Sequence, residues 1–364
     1  MEYKLLKSGI RIKDVHFKNR MVMPPLVIWQ SDESAEVKEV HERHYRMSAG
    51  PGLMIVEATT VSPEGKLHAK QLGIFDDRHI EGLSRLADLI RSSGAVSGIQ
   101  IHHGGAKATP KSNWGHLPFA PSVDGSQKPS SKECRELSTD EIHRIEDDFA
   151  AAAVRAEKAG FQYIELHFAH GYLGTQFLSP HSNTRTDEYG GSLENRQRFL
   201  IETYRRCKEA VSDEVILSCR LGVVDKKEGG ISIEEGAATA RSLAAEGAPL
   251  LHISCGHGVA DSVKPEGSSF NPLFHLAAGI KKEIDVPVIG VGGIVDPADG
   301  EQALETGMAD FVAVGKGMLA DPEWAKKVSE DRGEEIDACI GCPRCFWFSD
   351  PGKCPVRLKT GNTL

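Results

Sequence analysis

VPVIGVGGIVDPADGEQALETGMADFVAVGKG, residues 286–317, holds one complete strand-helix-strand unit. An apolar run at 288–291 breaks at Gly292-Gly293, Asp296-Pro297 opens a helical pattern, and a second apolar run at 311–314 ends in Gly315-Lys316. Asp before Pro is a helix start because the carboxylate accepts from the free N–H groups of the first turn, while proline needs no partner there. Two short β-rich runs joined by a helix read as a parallel unit.

The same alternation extends outward, with apolar runs at 21–25, 53–58, 96–101, 163–167, 216–221 and 250–254. Helical patterns fill the gaps, and Ser138 with Glu141 and Ser232 with Glu235 have capping-box spacing. Eight strand-helix units predict a closed α/β fold, the (β/α)8 TIM barrel. A doubly wound sheet is the alternative, but it wants a GxGxxG loop after an early strand, and the sequence has none. No linker rich in Pro, Gly or Ser divides the chain, and 104–137 is expected as a loop over the barrel mouth. The expected organisation is a barrel over 1–336 with a short cysteine-rich extension over 337–364.

Composition narrows the function. The 364 residues are 40% hydrophobic with 37 glycines, enough for one large barrel. Net charge is -9 without a sustained basic stripe, which argues against nucleic acid as partner. The start MEYKLLKSGIRIKD is interrupted by charges and no long apolar run occurs, so neither a signal peptide, a membrane span nor a membrane partner is expected, and the location expected is cytoplasmic. Cys134, Cys207, Cys219 and Cys255 are scattered, whereas Cys339, Cys342, Cys345 and Cys354 crowd one segment. Crowding of that kind favours metal ligation in a reducing compartment over disulfides.

Barrel chemistry sits at the C-terminal ends of strands. The third run carries Gln100 and leads into His102 and His103, the fourth leads into His167, His170 and Tyr172, and the fifth closes on Arg220. Gly292-Gly293 and Gly315-Lys316 follow the seventh and eighth, where bare backbone N–H groups and a lysine suit a phosphate; the bland alternative is a pair of tight turns. CIGCPRC at 339–345 with Cys354 can wrap a 4Fe-4S cluster, and a zinc site made of the same thiolates is the alternative.

ELHFAHGYLGTQFLSPHSNTRTDEYGGSLENRQRF (165–199) is more specific, and with NRMVMPP (19–25), GLMIVEATTVSPEG (52–65), GIQIHHGG (98–105), GVGGIVDP (290–297) and VGKGMLADPEW (314–324) the chain resembles the old yellow enzyme family. The likeness is to its short bacterial ene-reductases and to the FMN and iron-sulfur half of 2,4-dienoyl-CoA reductase and trimethylamine dehydrogenase. It implies FMN, lined by Pro24, Pro25, Leu26 and Val27, contacted by Ala58, Gln100 and Arg220, and held at its phosphate by Gly292, Gly293, Gly315 and Lys316. It further implies an oxidoreductase that passes hydride from flavin N5 to the β-carbon of an activated C=C bond in an enone, enoate or enoyl thioester. In that scheme His167 and His170 bind and polarise the acceptor and Tyr172 donates a proton, which a phenol still carries at neutral pH. Alternatives on the same scaffold are an oxidative amine dehydrogenase or demethylase and an electron-transfer flavoprotein subunit.

The sequence departs from the family at several points. A cysteine and a tyrosine common after the first strand correspond to Val27 and Trp29, so Trp29 is expected to floor or narrow the substrate pocket, with packing in the core as the alternative. The usual HAGR is His103-Gly104-Gly105-Ala106, and the phosphate arginine is Lys316. In cluster-bearing relatives the final cysteine comes later and a large flavin and nicotinamide domain follows, whereas this sequence ends at Leu364. The expected electron donors are therefore NADH or NADPH acting directly on FMN, or a ferredoxin, flavodoxin or separate flavoprotein acting through the cluster. A small unsaturated substrate, with other copies of the chain in a homo-oligomer, completes the expected partners.

Overall fold

The computed structural model describes residues 2–123, 134–362 and 364. Eight parallel strands close into a barrel: β1 (Met21–Met23), β2 (Leu53–Thr60), β3 (Val96–His102), β4 (Tyr163–Phe168), β5 (Ile216–Gly222), β6 (Leu251–Ser254), β7 (Val288–Val291) and β8 (Phe311–Ala313). Each pairs with its neighbours in sequence, and β8 returns to β1 through Val312 with Met21 and Ala313 with Val22. Every apolar run became a strand. The first stops at Met23 instead of continuing to residue 25, because Pro24 and Pro25 have no N–H to give a ladder. In β2 the register shifts between Val56 and Thr59, a bulge that holds Ala58 at the barrel rim.

A helix follows each strand: α1 (Glu39–Met47), α2 (His79–Ser92), α3 (Thr139–Lys158), α4 (Leu193–Ala210), α5 (Ile233–Ala245), α6 (Pro272–Lys281), α7 (Pro297–Glu305) and α8 (Trp324–Ser329). Both capping boxes form at α3 and α5, and the Ala298 N–H donates to the Asp296 carboxylate at 2.8 Å. A hairpin of Ile10–Ile12 with Val15–Phe17 plugs the N-terminal end of the barrel, where Phe17 meets Phe311 edge-on at 5.1 Å between ring centroids. The opposite end is left for loops. The stretch 104–137 is more ordered than expected, with a turn at Gly105–Lys107 and Phe119–Ala120 pairing with Arg135–Glu136; residues 124–133 of it lie outside the described residues.

Beyond α8 come short turns at Phe346–Phe348 and Pro351–Lys353 and a last helix, α9 (Pro355–Thr360), ended by Gly361 at φ 76°. Trp347 is buried against Ile28 and Leu319, and the buried Arg357 donates from Nε to the Leu319 carbonyl. Among the described residues no helix is long and apolar enough to cross a membrane.

Two outcomes follow from these elements. Ser138→Ala removes the oxygen that accepts from the Glu141 N–H and should cost about 1 kcal/mol, read as a lower urea midpoint. Burial pushes His41 and His103 down to about 4 and His44 and His102 to about 3. The unfolded chain therefore takes up protons near pH 6.5 that the folded chain refuses, and stability falls as pH drops from about 6.5 towards 4. Glu57 and Glu146, pushed up to about 8 by burial, oppose this trend. With more imidazoles than carboxyls involved, the urea midpoint should be lower at pH 5 than at pH 7; an equal or higher midpoint would contradict the burial argument.

Candidate functional site

At the C-terminal rim the barrel opens into a cavity of about 450 Å³, within the roughly 300–1,000 Å³ typical of small-molecule sites. The loop after β1 lends it Pro24, Pro25, Leu26, Val27 and Trp29; β2 lends Ala58, β3 Gln100 and β5 Arg220. His167 comes from β4, with His170 and Tyr172 just beyond it. Gly292-Gly293 follow β7, and Gly315-Lys316 follow β8. Every flavin-side and substrate-side residue named from the sequence meets in this one space. His102 and His103 do not line it: His102 Nε2 bonds the Gln71 amide at 2.8 Å, and His103 Nδ1 accepts from the Gly105 N–H at 3.1 Å.

One wall is shaped for an anion. Gly292 and Gly293 have φ of 141° and 74°, and a Cβ on Gly292 would fall 3.0 Å from Leu273 Cβ and 3.1 Å from Asn271 Oδ1. Only glycine takes that path without strain, and it leaves backbone N–H groups bare beside the Lys316 ammonium. A phosphate fits this cradle.

Deeper in, a carboxylate organises the polar floor. Glu165 accepts from Gln100 Nε2 at 2.7 Å and from the Tyr163 hydroxyl at 2.9 Å, and lies 2.8 Å from His252 Nδ1. Burial alone would raise its pKa, but His252, Arg220 and Tyr163 outweigh burial and hold it below the usual carboxylate range. Arg220 is also buried, and its Nε has no hydrogen-bond partner among the described residues. A buried donor without an acceptor at a cavity wall is the feature expected where a ligand's polar edge belongs. Glu165 and His252 went unread in the sequence because they lie inside runs taken as apolar. The available signal was strand alternation, which puts Glu165 on the same face of β4 as His167.

The histidine-tyrosine set is connected. His170 Nδ1 lies 3.2 Å from His167 Nε2, and His170 Nε2 lies 2.8 Å from the Ser254 hydroxyl. Burial pushes both histidines well below the ordinary imidazole range, helped at His167 by His170, His102 and Arg220 and at His170 by Arg220, His252 and Lys107, so both are neutral. Burial raises the Tyr172 phenol against a smaller opposite pull from Arg220. Among the described residues its hydroxyl has no hydrogen-bond partner, although its ring touches His167 at 5.1 Å and His102 at 5.2 Å. Two non-glycine residues at the cavity, Trp29 (φ 51°) and His170 (φ 61°), sit in the left-handed region, where backbone strain of order 1–3 kcal/mol tends to mark functional positions.

The positive charge missing at Ala106 reappears one residue later. Lys107 Nζ sits 5.0 Å from the Tyr172 ring centroid and donates to the His170 carbonyl.

Cys339, Cys342, Cys345 and Cys354 all line a second cavity of about 30 Å³, walled also by Trp347 and by Lys316, which belongs to both cavities. All are free thiols. No three of their sulfurs lie within 4.8 Å of one another; among the described residues the group that meets this limit is His143, Glu146 and Glu202, on α3 and α4.

Residues 6–335 match the model of the NADH:flavin oxidoreductase / NADH oxidase family. An NADH oxidase of Thermoanaerobacter brockii is 43% identical over 345 residues, 93% of this chain and 52% of the relative. An NADPH dehydrogenase of Clostridium acetobutylicum is 38% identical over 331 residues, 90% of this chain and 95% of that one. A solved structure of 2-naphthoyl-CoA reductase in complex with 2-naphthoyl-CoA superposes with a TM-score of 0.88 at 30% identity, over 96% of this chain and 56% of its own. The chain thus spans about half the length of the first and third of these and nearly all of the second. A match running the length of the barrel, with near-complete coverage of the clostridial enzyme, makes this chain a member of the NADH:flavin oxidoreductase / NADH oxidase family.

Proposed function

We propose that the chain is an FMN-dependent ene-reductase whose barrel, residues 1–336, binds flavin and substrate and whose extension, 337–364, carries a 4Fe-4S cluster. The observation that carries this reading is the meeting, in one cavity, of a glycine-lysine cradle, the unpartnered Arg220 Nε and the His167, His170 and Tyr172 side chains. The cradle suits the FMN phosphate, while Gln100 and Arg220 suit the polar edge of its ring, and Pro24 to Val27 with Ala58 suit its apolar faces. When bound there, FMN supplies a hydride from N5 to the β-carbon of a conjugated double bond.

The protein's own groups do the rest. His167 and His170 are neutral, and the single N–H held between His167 Nε2 and His170 Nδ1 can turn to the acceptor carbonyl without either ring first taking a proton. The Ser254 hydroxyl, able to donate or accept, satisfies His170 Nε2 whichever nitrogen of the ring carries hydrogen. Tyr172 keeps its proton at neutral pH and delivers it to the α-carbon. The likeness to a 2-naphthoyl-CoA reductase favours a thioester among the three substrate classes, and Lys107 beside Tyr172 suits an anionic portion of such a molecule.

Thiol spacing favours a cluster over zinc. A single zinc at about 2.3 Å from each sulfur draws the sulfurs to roughly 3.8 Å apart, closer than any three of these thiols come, whereas a cube holds them farther apart. Relatives named NADH oxidase and NADPH dehydrogenase favour a nicotinamide donor, and the cluster would give a one-electron port for a ferredoxin or flavodoxin.

The first test is an anaerobic preparation with its visible spectrum and iron assay, followed by NADH, then NADPH. Flavin bands with about four irons per chain are expected. Bleaching by a nicotinamide and turnover of enones or unsaturated thioesters would support the reading; a preparation that neither contains nor rebinds flavin would sink it. Flavin that resists nicotinamides but yields to reduced ferredoxin makes the cluster the port, and turnover of amines instead of alkenes moves the assignment to the oxidative class. Tyr172→Phe should slow alkene reduction by about 10²–10⁴-fold while leaving flavin bleaching by nicotinamide unchanged.

A further inference from the structure

Trp347 and Arg357 present two buried donors that the protein leaves unsatisfied. Trp347 is 1% exposed and lines the cysteine cavity, yet its indole Nε1–H has no hydrogen-bond partner. Arg357, three residues after Cys354 on α9, is fully buried with its guanidinium carbon 4.7 Å from the Trp347 ring centroid. Its Nε donates to the Leu319 carbonyl and its Nη1 reaches the Asn362 carbonyl at 3.4 Å, but Nη2 donates to nothing. No carboxylate among the described residues comes within ion-pair distance of it.

A guanidinium stays protonated at any working pH, and leaving it buried without an anion costs several kcal/mol. Arg357 lies outside the lining of the cysteine cavity, but its charge and that of Cys354, which does line it, act on each other, so a negative group held by the thiols would sit within the field of the guanidinium. A 4Fe-4S cube held by four thiolates is negatively charged and gains one further unit on reduction, with no bond made or broken. Hydrogen bonds to its sulfurs and nearby charge both set its potential. A buried cation is screened far less than one in water and favours the more negative, reduced state.

We propose that Trp347 and Arg357 are a stacked donor and counter-charge pair that raises the reduction potential of a cluster held by Cys339, Cys342, Cys345 and Cys354. This rests on the cluster reading above. The pair also lies between the two sites: Trp347 packs on Ile28, with Leu26 and Cys345 at the edge of the same apolar group, and Leu26 lines the flavin-side cavity. A potential raised here makes the cluster easier to reduce and leaves less drive for passing its electron on to the flavin side.

The test is a redox titration of the anaerobic wild-type protein followed by electron paramagnetic resonance, beside Trp347→Phe, Arg357→Gln and Arg357→Lys. Iron per chain is measured for each. Trp347→Phe and Arg357→Gln should keep iron and move the midpoint to lower potential, while Arg357→Lys, which keeps the charge, stays closer to wild type. The Arg357→Gln shift should survive half-molar salt, since the charge is buried. Iron-replete variants with an unmoved midpoint overturn the proposal while leaving the cluster in place. Should Arg357→Gln fail to fold, the midpoint of Trp347→Phe decides between the same two results. Wild-type protein that takes up zinc but no iron overturns the cluster reading itself.

Discussion

Closing eight parallel strands on themselves forces all their C-terminal ends to one rim, and the remainder of the molecule answers to that constraint. Each strand contributes a side chain or a turn to the same opening without any long-range search for position. Gln100, Glu165 and Arg220 come from three successive strands, so their spacing is set by backbone hydrogen bonds and not by loop conformation. The hairpin plug at the other end, with Phe17 against Phe311, closes the interior so that the rim is where the barrel opens.

Charge at the rim is arranged around one buried pair. Glu165 is kept ionised by His252, Arg220 and Tyr163, and it lends Arg220 a counter-charge without occupying its Nε. The same positive charge helps keep His167 and His170 neutral. The two histidines are therefore neutral, while the Arg220 cation keeps a free donor at the cavity wall.

Much of this could be read before any coordinates. Strand positions were legible because each apolar run ends at a glycine, a proline or a polar cluster, and Asp296-Pro297 and the two serine-glutamate boxes marked helix starts outright. The cavity residues were legible because the rim is defined by strand ends and because the motif around His167 is specific. What escaped lay inside the runs or between distant segments. Glu165 and His252 were hidden by the assumption that a buried strand is apolar throughout. Lys107 is not legible from a position-by-position match, because it carries the charge that Ala106 lacks to the same place from the neighbouring position. Trp347, Phe348 and Arg357 escaped for a different reason: the tail was read for its thiols, and no periodicity reports that an indole will pack on Ile28 from far along the chain.

That last contact bears on the order in which the molecule is assembled. Ile28 and Leu26 leave the ribosome early, and the side chains that cover them from the tail emerge only after the whole barrel has been made. Until then an apolar seam beside the rim cavity faces solvent, in a topology whose non-local pairings already fold slowly. Phe348, which forms part of the wall of that opening, arrives together with Trp347. A nascent chain can thus offer a cradle for phosphate before it can offer a finished pocket, and any cofactor seated early must wait for the tail to shut the side door.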